Sequence, residues 1–463
     1  MSSKLQNAKD SYIMSTMEEL VPQNHLVRRL DKYINFEFIR ELAAPHYSSI
    51  GRPGYDPVII FKLAFLKSVF GIPSMRKTCE ELEVNIAYRW FLGIPFNESI
   101  PVHSTYSKNY LHRFMNTNIY ETVFERILDQ IIDKGLIDFT NINIDSTHLK
   151  ASANRRKSIE KYVRREKSVF EDEMLQFIND EREKDDDKPL PPSKPKGDKR
   201  TKESTTDSDS GWLNKGEKEK NFSYNAHSAC DKNGYVLKSI IKPSNIHDSK
   251  VFPLVYDDLN EKYKEKILSI AIDRGYYSGP IIKMICDNNH LPLLPYKRPM
   301  GKKNYELFKT LVYDALTNSY CDKKGLIYRY AKINRQGYKI YRNQFKQELR
   351  ISIYKPYFDY ARDLRLSDYG KEIYGLRKQT IERCFADFKE RHFGRYTHYR
   401  GIKKVSDHTL LTFACMNMKK MVNFLSGRDN KGPLLSKFSA KILYFLEKMK
   451  KSTFLILGSK TSF

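Results

Sequence analysis

FTNINIDST, residues 139–147, alternates in character: Ile142 and Ile144 fall on one face, Asn141, Asn143 and Asp145 on the other. A period of two with one apolar side is a strand with one buried face, here ending in a carboxylate. ILSIAID, residues 267–273, is continuously apolar before its own carboxylate, Asp273, as in strands buried on both faces. Between them NFSYNAHSACD and YVLKSIIKP flank Lys232-Asn233-Gly234 and read as an antiparallel hairpin. HLPLLPY, residues 290–296, is a further short strand. Helical stretches separate these runs, so the middle of the chain is α/β.

Upstream the period changes. In residues 1–137, Asp56-Pro57 is a cap followed by a first-turn proline, and Gly71 a stop. Ser74 and Ser104 each open a further segment, and Ile119, Val123, Phe124, Ile127, Leu128, Ile131 and Ile132 repeat at helical spacing up to Gly135. Short helices with tight turns fit both a helix-turn-helix DNA reader and an ordinary bundle. Downstream, residues 151–220 hold 18 basic and 17 acidic side chains. That block reads as a solvated helix and a flexible loop, and because strands flank it, as an insertion within one domain. Residues 305–360 carry 10 of the 31 tyrosines and suggest a second, β-rich insertion, spanning about 300–360. Residues 374–425 return to helix, with Ile381, Phe385, Phe388 and His392 on one stripe. Residues 426–463 read as a basic amphipathic helix and tail. The expected domains are therefore 1–137, 138–425 and 426–463.

Over 463 residues, 81 Lys and Arg face 56 Asp and Glu, a formal charge of +25. Such a surplus points to a polyanionic partner, while 40% hydrophobic residues suffice for a packed core. The longest apolar run, from Val58, is broken by Lys62 and Lys67, which excludes a membrane span. The first ten residues hold no apolar signal core, giving a cytoplasmic expectation. The six cysteines form no CxxC pair, and no GxxxxGK[ST] loop is present, which disfavours ATP chemistry.

Asp145, Asp273 and Glu382 stand out by position. Singly, a strand-end Asp is a common turn former, and a helical Glu beside Arg383 is a common solvated ion pair. Together, in a strongly basic chain, they suggest an oxygen cage for Mg²⁺ or Mn²⁺. Residues 383–404 add Arg383, Lys389, Arg391, Arg395, Arg400, Lys403 and Lys404 among Phe393, Tyr396 and Tyr399. This mixture suits a splayed or stacked strand end, or simply a solvated basic face. His148 and His247-Asp248 are weaker candidates: the first reads as a hydrogen-bonded histidine, and Asp248 as a helix cap.

NIDSTHLKA, SNIHDSKVF, AIDRGYYS and RKQTIERCFADFKERHFGRYTHYRG resemble, in this order, the motifs of DDE-class bacterial insertion-sequence transposases with an RNase H-like catalytic domain. LVPQNHLVRRLDKYINFEFI and GRPGYDPVIIFKLAFLKSVFGIPSMRKTCEELEVNIAYRWFLGI resemble the N-terminal domain of the same family. The resemblance implies that Asp145, Asp273 and Glu382 are catalytic and hold the metal, and that the strands ending in the two aspartates lie side by side. In this group the Glu belongs to a signature of Tyr, two residues, Arg, three residues, Glu, six residues, Lys. Glu382 and Lys389 keep the last spacing and Tyr374 and Arg377 the first, but four residues separate Arg377 from Glu382. Lys378 has the arginine's spacing without being arginine, so either residue stands for it. Tyr374, Arg377, Lys378, Lys389, Arg391, Arg395 and Arg400 are thereby expected at DNA.

The expectation is a transposase that binds the terminal inverted repeats of its insertion sequence through the helical domain. It would cut and transfer strands of double-stranded DNA by a two-metal mechanism, as a homodimer in the DNA complex and associated with the bacterial nucleoid. A catalytically inactive or nuclease-only DNA-binding protein of the same fold is the alternative.

Overall fold

The computed structural model describes residues 14–48, 50, 54–163, 170–192, 199–216, 219–296 and 310–428. The expected C-terminal amphipathic helix lies beyond them, as do residues 300–309 of the β-rich insertion. The chain divides into two compact units. One gathers the described residues up to 136 with 387–394 and 407–428; the other holds 137–386 with 395–406.

The regular elements of the first unit are helical. Asp56 caps Pro57–Val69 by accepting the Val58 N–H at 2.8 Å. Ile60, Phe61, Leu63, Phe65 and Leu66 are all at most 1% exposed, so this helix is buried on every side. Gly71 follows at φ +63°, where a Cβ would lie 2.4 Å from the Arg391 carbonyl oxygen; conformation and contact both require glycine. Ser74 caps Met75–Val84. Ser104 opens nothing: His103–Asn109 starts one residue earlier with Val102 at the cap. Ile119–Asp133 buries Val123, Phe124, Ile127, Leu128 and Ile131 as its spacing requires.

The grouping departs from a boundary at 137. Helix Ile402–Leu425 sends Phe413, Ala414, Cys415, Met418, Met421 and Val422 into the core of the first unit at 0% exposure. Lys419 Nζ donates to the Val69 carbonyl at 3.2 Å and Arg29 Nη1 to Asn423 Oδ1 at 2.6 Å. Each of the larger apolar side chains contributes about 1.5–3 kcal/mol on burial. The apolar sequence dictates that this helix be covered; it does not say by what.

The second unit is built on a mixed sheet. Its strands are β1 (Asn141–Lys150), β4 (Gly211–Lys215), β5 (Glu219–Cys230), β6 (Val236–Pro243), β7 (Ser269–Ile272) and β8 (Leu291–Leu293). The order is β4-β5-β1-β7-β8, with β6 on the same edge of β5 as β4. β1 runs parallel to β7 and antiparallel to β5. The β5–β6 hairpin turns through Gly234 at φ +78°, as its sequence demands.

Two expectations about β1 change. The strand does not stop at Asp145: β5 pairs with it to Lys150, and only its parallel neighbour β7 ends, at Ile272. Farther along that edge the Lys150 N–H donates to the Arg395 carbonyl and the Thr397 N–H to that of Lys150, at 3.0 and 2.9 Å. Asp145 thus sits where β7 leaves β1, before residues 395–397 join it. Nor is the asparagine face open. Tyr369 OH and Ser269 Oγ both donate to Asn141 Oδ1, at 2.8 and 2.6 Å, and Ala271, Leu291, Leu293, Leu364, Tyr369 and Ile373 form a core cluster beside it.

The charged block contains the expected helix, Phe170–Lys184. It also holds an antiparallel ribbon of β2 (Ser158–Val163) and β3 (Lys199–Ser204), and β4 of the main sheet. Residues 312–352 form an antiparallel sheet in the order β13-β12-β11-β10-β9: Val312–Asp314 (β9), Ser319–Cys321 (β10), Ile327–Ile333 (β11), Tyr338–Arg342 (β12) and Glu348–Ser352 (β13). Tyr328, Tyr341, Leu349 and Ile351 form its core. No described helix is long and apolar enough to cross a membrane.

Candidate active site

The register decides the site. Ile144 stands opposite Ile272 in the parallel pair β1–β7, so Asp145 and Asp273 follow at matched positions. Asp273 is exposed at the start of a short 3₁₀ turn, Arg274–Tyr276. Asp145 has an 18% exposed side chain. Its Oδ1 accepts the Ser146 N–H at 2.7 Å and its Oδ2 accepts Arg377 Nη2 at 2.6 Å. Arg377 also donates Nη1 to the carbonyls of Ala271, at 3.0 Å, and Ile144, at 3.3 Å. One guanidinium therefore joins β1 to β7 immediately before the two carboxylates.

Arg377 thus faces the strand ends. Its side chain is only 3% exposed and turned inward, whereas Lys378 is exposed in the same 3₁₀ turn, Leu376–Lys378. Tyr374 is half-buried, with the Arg365 guanidinium 4.3 Å and that of Arg377 5.6 Å from its ring centre.

Burial pushes the Asp145 carboxyl up to about 6; Arg377 and the Ser146 N–H oppose the shift, and the negative charges of Asp273 and Asp248 add to it. A desolvated carboxylate beside like charges is a place where a hard cation relieves repulsion. The donor set of hard oxygens fits Mg²⁺ or Mn²⁺. Among the described residues no group of three or more His, Cys, Asp or Glu side chains is gathered closely enough to hold a metal ion.

On the other face of β1, Ser146 Oγ donates to Asp248 Oδ1 at 3.2 Å. Asp248 is not the cap of its helix, Asp248–Tyr263: His247 takes that position, its Nδ1 accepting the Ser249 N–H at 3.3 Å. His227, fully buried on β5, shares a 3.1 Å hydrogen bond between Nδ1 and Tyr276 OH. Burial drives its pKa down to about 3, so it is neutral beside Asp248. His148 hydrogen-bonds Asn225 Oδ1, the ordinary role expected of it.

Glu382 is exposed on the first turn of helix Ile381–Arg391. Ile381 packs with Cys230, the cross-strand partner of Asn143, two residues before Asp145 on the same side of β1. The start of this helix therefore covers the Asp145 face of the sheet. Half-buried Lys389 lies on the same helix, in the part that groups with the first unit. Arg391, Arg395 and Arg400 are exposed. Arg391 pairs with Asp387 at 3.3 Å, and Arg400 Nε donates to the Ser152 carbonyl at 3.0 Å.

The structure thus brings Asp145, Asp273 and Arg377 together and adds Asp248, which sequence reasoning assigned to a cap. SNIHDSKVF carried that signal, but its histidine and aspartate compete for one role and spacing does not say which residue fills it.

No curated protein matches the chain. Two family models match it: one described as a transposase domain (DUF772), over residues 15–111, and one described as a transposase DDE domain, over residues 132–418.

Proposed function

The chain belongs to the transposase DDE domain family, and from that premise we propose that it binds the terminal inverted repeats of its insertion sequence, cleaves there, and joins the freed ends to new DNA. The observation that carries this reading is the matched register of Asp145 and Asp273 at the parting of two parallel strands. That is the arrangement an RNase H-like domain needs at the carboxyl end of its central strands.

Asp145 and Asp273 would hold the divalent cation, with Glu382 as the third carboxylate, supplied from the helix over the Asp145 face. Bound there, the ion supplies charge neutralisation for the attacking and leaving oxygens of phosphodiester exchange. The chain's own residues do the positioning. Arg377 fixes β1 against β7 and orients the Asp145 carboxylate, leaving its other oxygen on the Ser146 N–H. Lys389, Arg391, Arg395 and Arg400, with Lys378 and Tyr374, are the proposed phosphate and base contacts, and the helical residues 1–137 the proposed reader of the repeat. The surplus charge of +25 makes affinity fall steeply with salt. A homodimer that pairs two ends completes the reading.

Products test it. Purified protein is given Mg²⁺, a duplex carrying the element's terminal repeat, and a target plasmid. Recombinants joined at the repeat end are expected. Cut ends without joined product would reduce the activity to a nuclease, and intact bound DNA would leave a binding protein.

A further inference from the structure

Asp248 touches the backbone turns that follow both aspartates. Its Oδ1 accepts the hydroxyl of Ser146, the residue after Asp145, at 3.2 Å. Its Oδ2 lies where a Cβ on Gly275, two residues after Asp273, would stand 2.5 Å away. Gly275 does not have a positive φ, so glycine is needed here for space alone. The Asp248 carboxylate therefore fills the room between the ends of β1 and β7 on the face opposite Arg377. It is not required to cap its helix, since His247 does so, and the nearest imidazole, His227 at 3.7 Å, is neutral. Among the described contacts Asp248 forms no ion pair with a lysine or arginine; burial pushes its carboxyl up, against the Ser146 hydroxyl and the positive charge of His247, His148 and Lys215, and Asp145 senses its charge.

We propose that Asp248 is a positioning residue: through Ser146 and Gly275 it holds the two strand ends in the register that lets Asp145 and Asp273 share a divalent cation, and its charge strengthens that binding. This rests on the assignment of Asp145 and Asp273 as ion-holding residues. Arg377 and Asp248 then act as a pair of clamps, one on each face of the sheet, the first setting the carboxylate and the second the turn behind it.

The test uses the full-length protein and two readouts. Mn²⁺ binding is followed by loss of the free-ion electron paramagnetic resonance signal, and Mg²⁺ dependence by the cleavage rate of repeat-end DNA. Asp248→Ala should weaken Mn²⁺ binding by about tenfold or more, the usual effect of removing a residue that orients a ligand. It should raise the Mg²⁺ concentration for half-maximal cleavage in proportion, with a smaller change in the rate at saturation. Asp248→Asn, which still accepts from Ser146 but is uncharged, should fall between Ala and the native protein. Ser146→Ala removes the hydroxyl that Asp248 accepts, and Gly275→Ala pushes the Asp248 carboxylate out of its place, both with the His247 cap intact; each should weaken Mn²⁺ binding by several-fold, and they carry the test if Asp248→Ala does not fold. Native Mn²⁺ binding in Ser146→Ala and in whichever Asp248 variants fold would overturn the proposal. Asp145→Asn, run alongside, separates the two failures: if it binds Mn²⁺ and cuts DNA normally, it is the underlying site assignment that falls.

Discussion

Replacing Arg377 with alanine removes the guanidinium that joins β1 and β7. Three hydrogen bonds go with it: one to the Asp145 carboxylate and two to the carbonyls of Ile144 and Ala271. Removing one partner of a buried ion pair costs about 3–5 kcal/mol, because the remaining charge and acceptors stay buried without compensation. Asp145 keeps 18% of its side-chain surface in water, which places the loss near the lower figure. In a unit of this size each kcal/mol moves the melting temperature by roughly 2–4 °C, so a fall of about 6–12 °C is expected. Arg377→Lys, whose single ammonium cannot reach all three acceptors, should recover part of it. Lys378→Ala, one residue on but exposed, should move the melting temperature by no more than about 1–2 °C, as ordinary surface changes do. Differential scanning calorimetry of the three variants in Mg²⁺-free buffer measures this directly. Equal, small shifts for Arg377→Ala and Lys378→Ala would refute the inward placement of Arg377 and return it to the DNA surface.

Other outcomes follow from the same geometry. Lys389→Ala should lower strand-transfer rate by about ten- to a thousandfold, the effect of losing one positioned charged contact to a transition state, while shifting the melting temperature little; unchanged rates would make it a packing residue. His392 is buried with its Nδ1 bonded to the Ser68 carbonyl at 2.7 Å, and burial lowers its pKa to about 4. Between the ordinary histidine value and 4 the unfolded chain takes up a proton that the folded chain refuses, so stability present above about pH 6.5 is lost as pH falls through that window, by up to about 3 kcal/mol. His392→Asn should flatten that acid loss; an identical pH–melting profile for both proteins would exclude His392 as its source. Ending the chain at residue 406 removes the buried helix segment from the first unit and should abolish both cooperative melting of that unit and repeat binding, whereas retained specific binding in a gel shift would show that residues up to 137 suffice.

What could be read from the sequence was whatever depends on neighbours along the chain. The alternation at Asn141–Asp145, the apolar run before Asp273, the Asn233-Gly234 hairpin and the Asp56 cap are local patterns, and each gives the element found. What depends on pairing across the chain was not legible. Asp145 lies within its strand because β5 extends past the end of β7, a fact of register between distant segments. Arg377 looks like any basic residue in a DNA-binding signature until the carbonyls of Ala271 and Ile144 are brought around it. β4 hid in a charged block because Gly211–Lys215 is too short and polar to show a period, and it is the partnership with β5 that makes it a strand. The helix Ile402–Leu425 announces that it is buried but not that its residues from 407 on group with the N-terminal helices.

The claim beneath all of this is that Asp145 and Asp273 together hold the ion that cuts DNA. The most direct measurement is Mg²⁺-dependent cleavage of a labelled repeat-end duplex by the native protein, Asp145→Asn and Asp273→Asn at equal bound DNA, with Glu382→Gln as the third arm. The expected result is full cleavage by the native protein only, no product from any of the three variants above the level seen in excess chelator, and repeat binding preserved in all four. Native-level cleavage by either aspartate variant would contradict the account, because no ion shared between the ends of β1 and β7 could then be performing the chemistry.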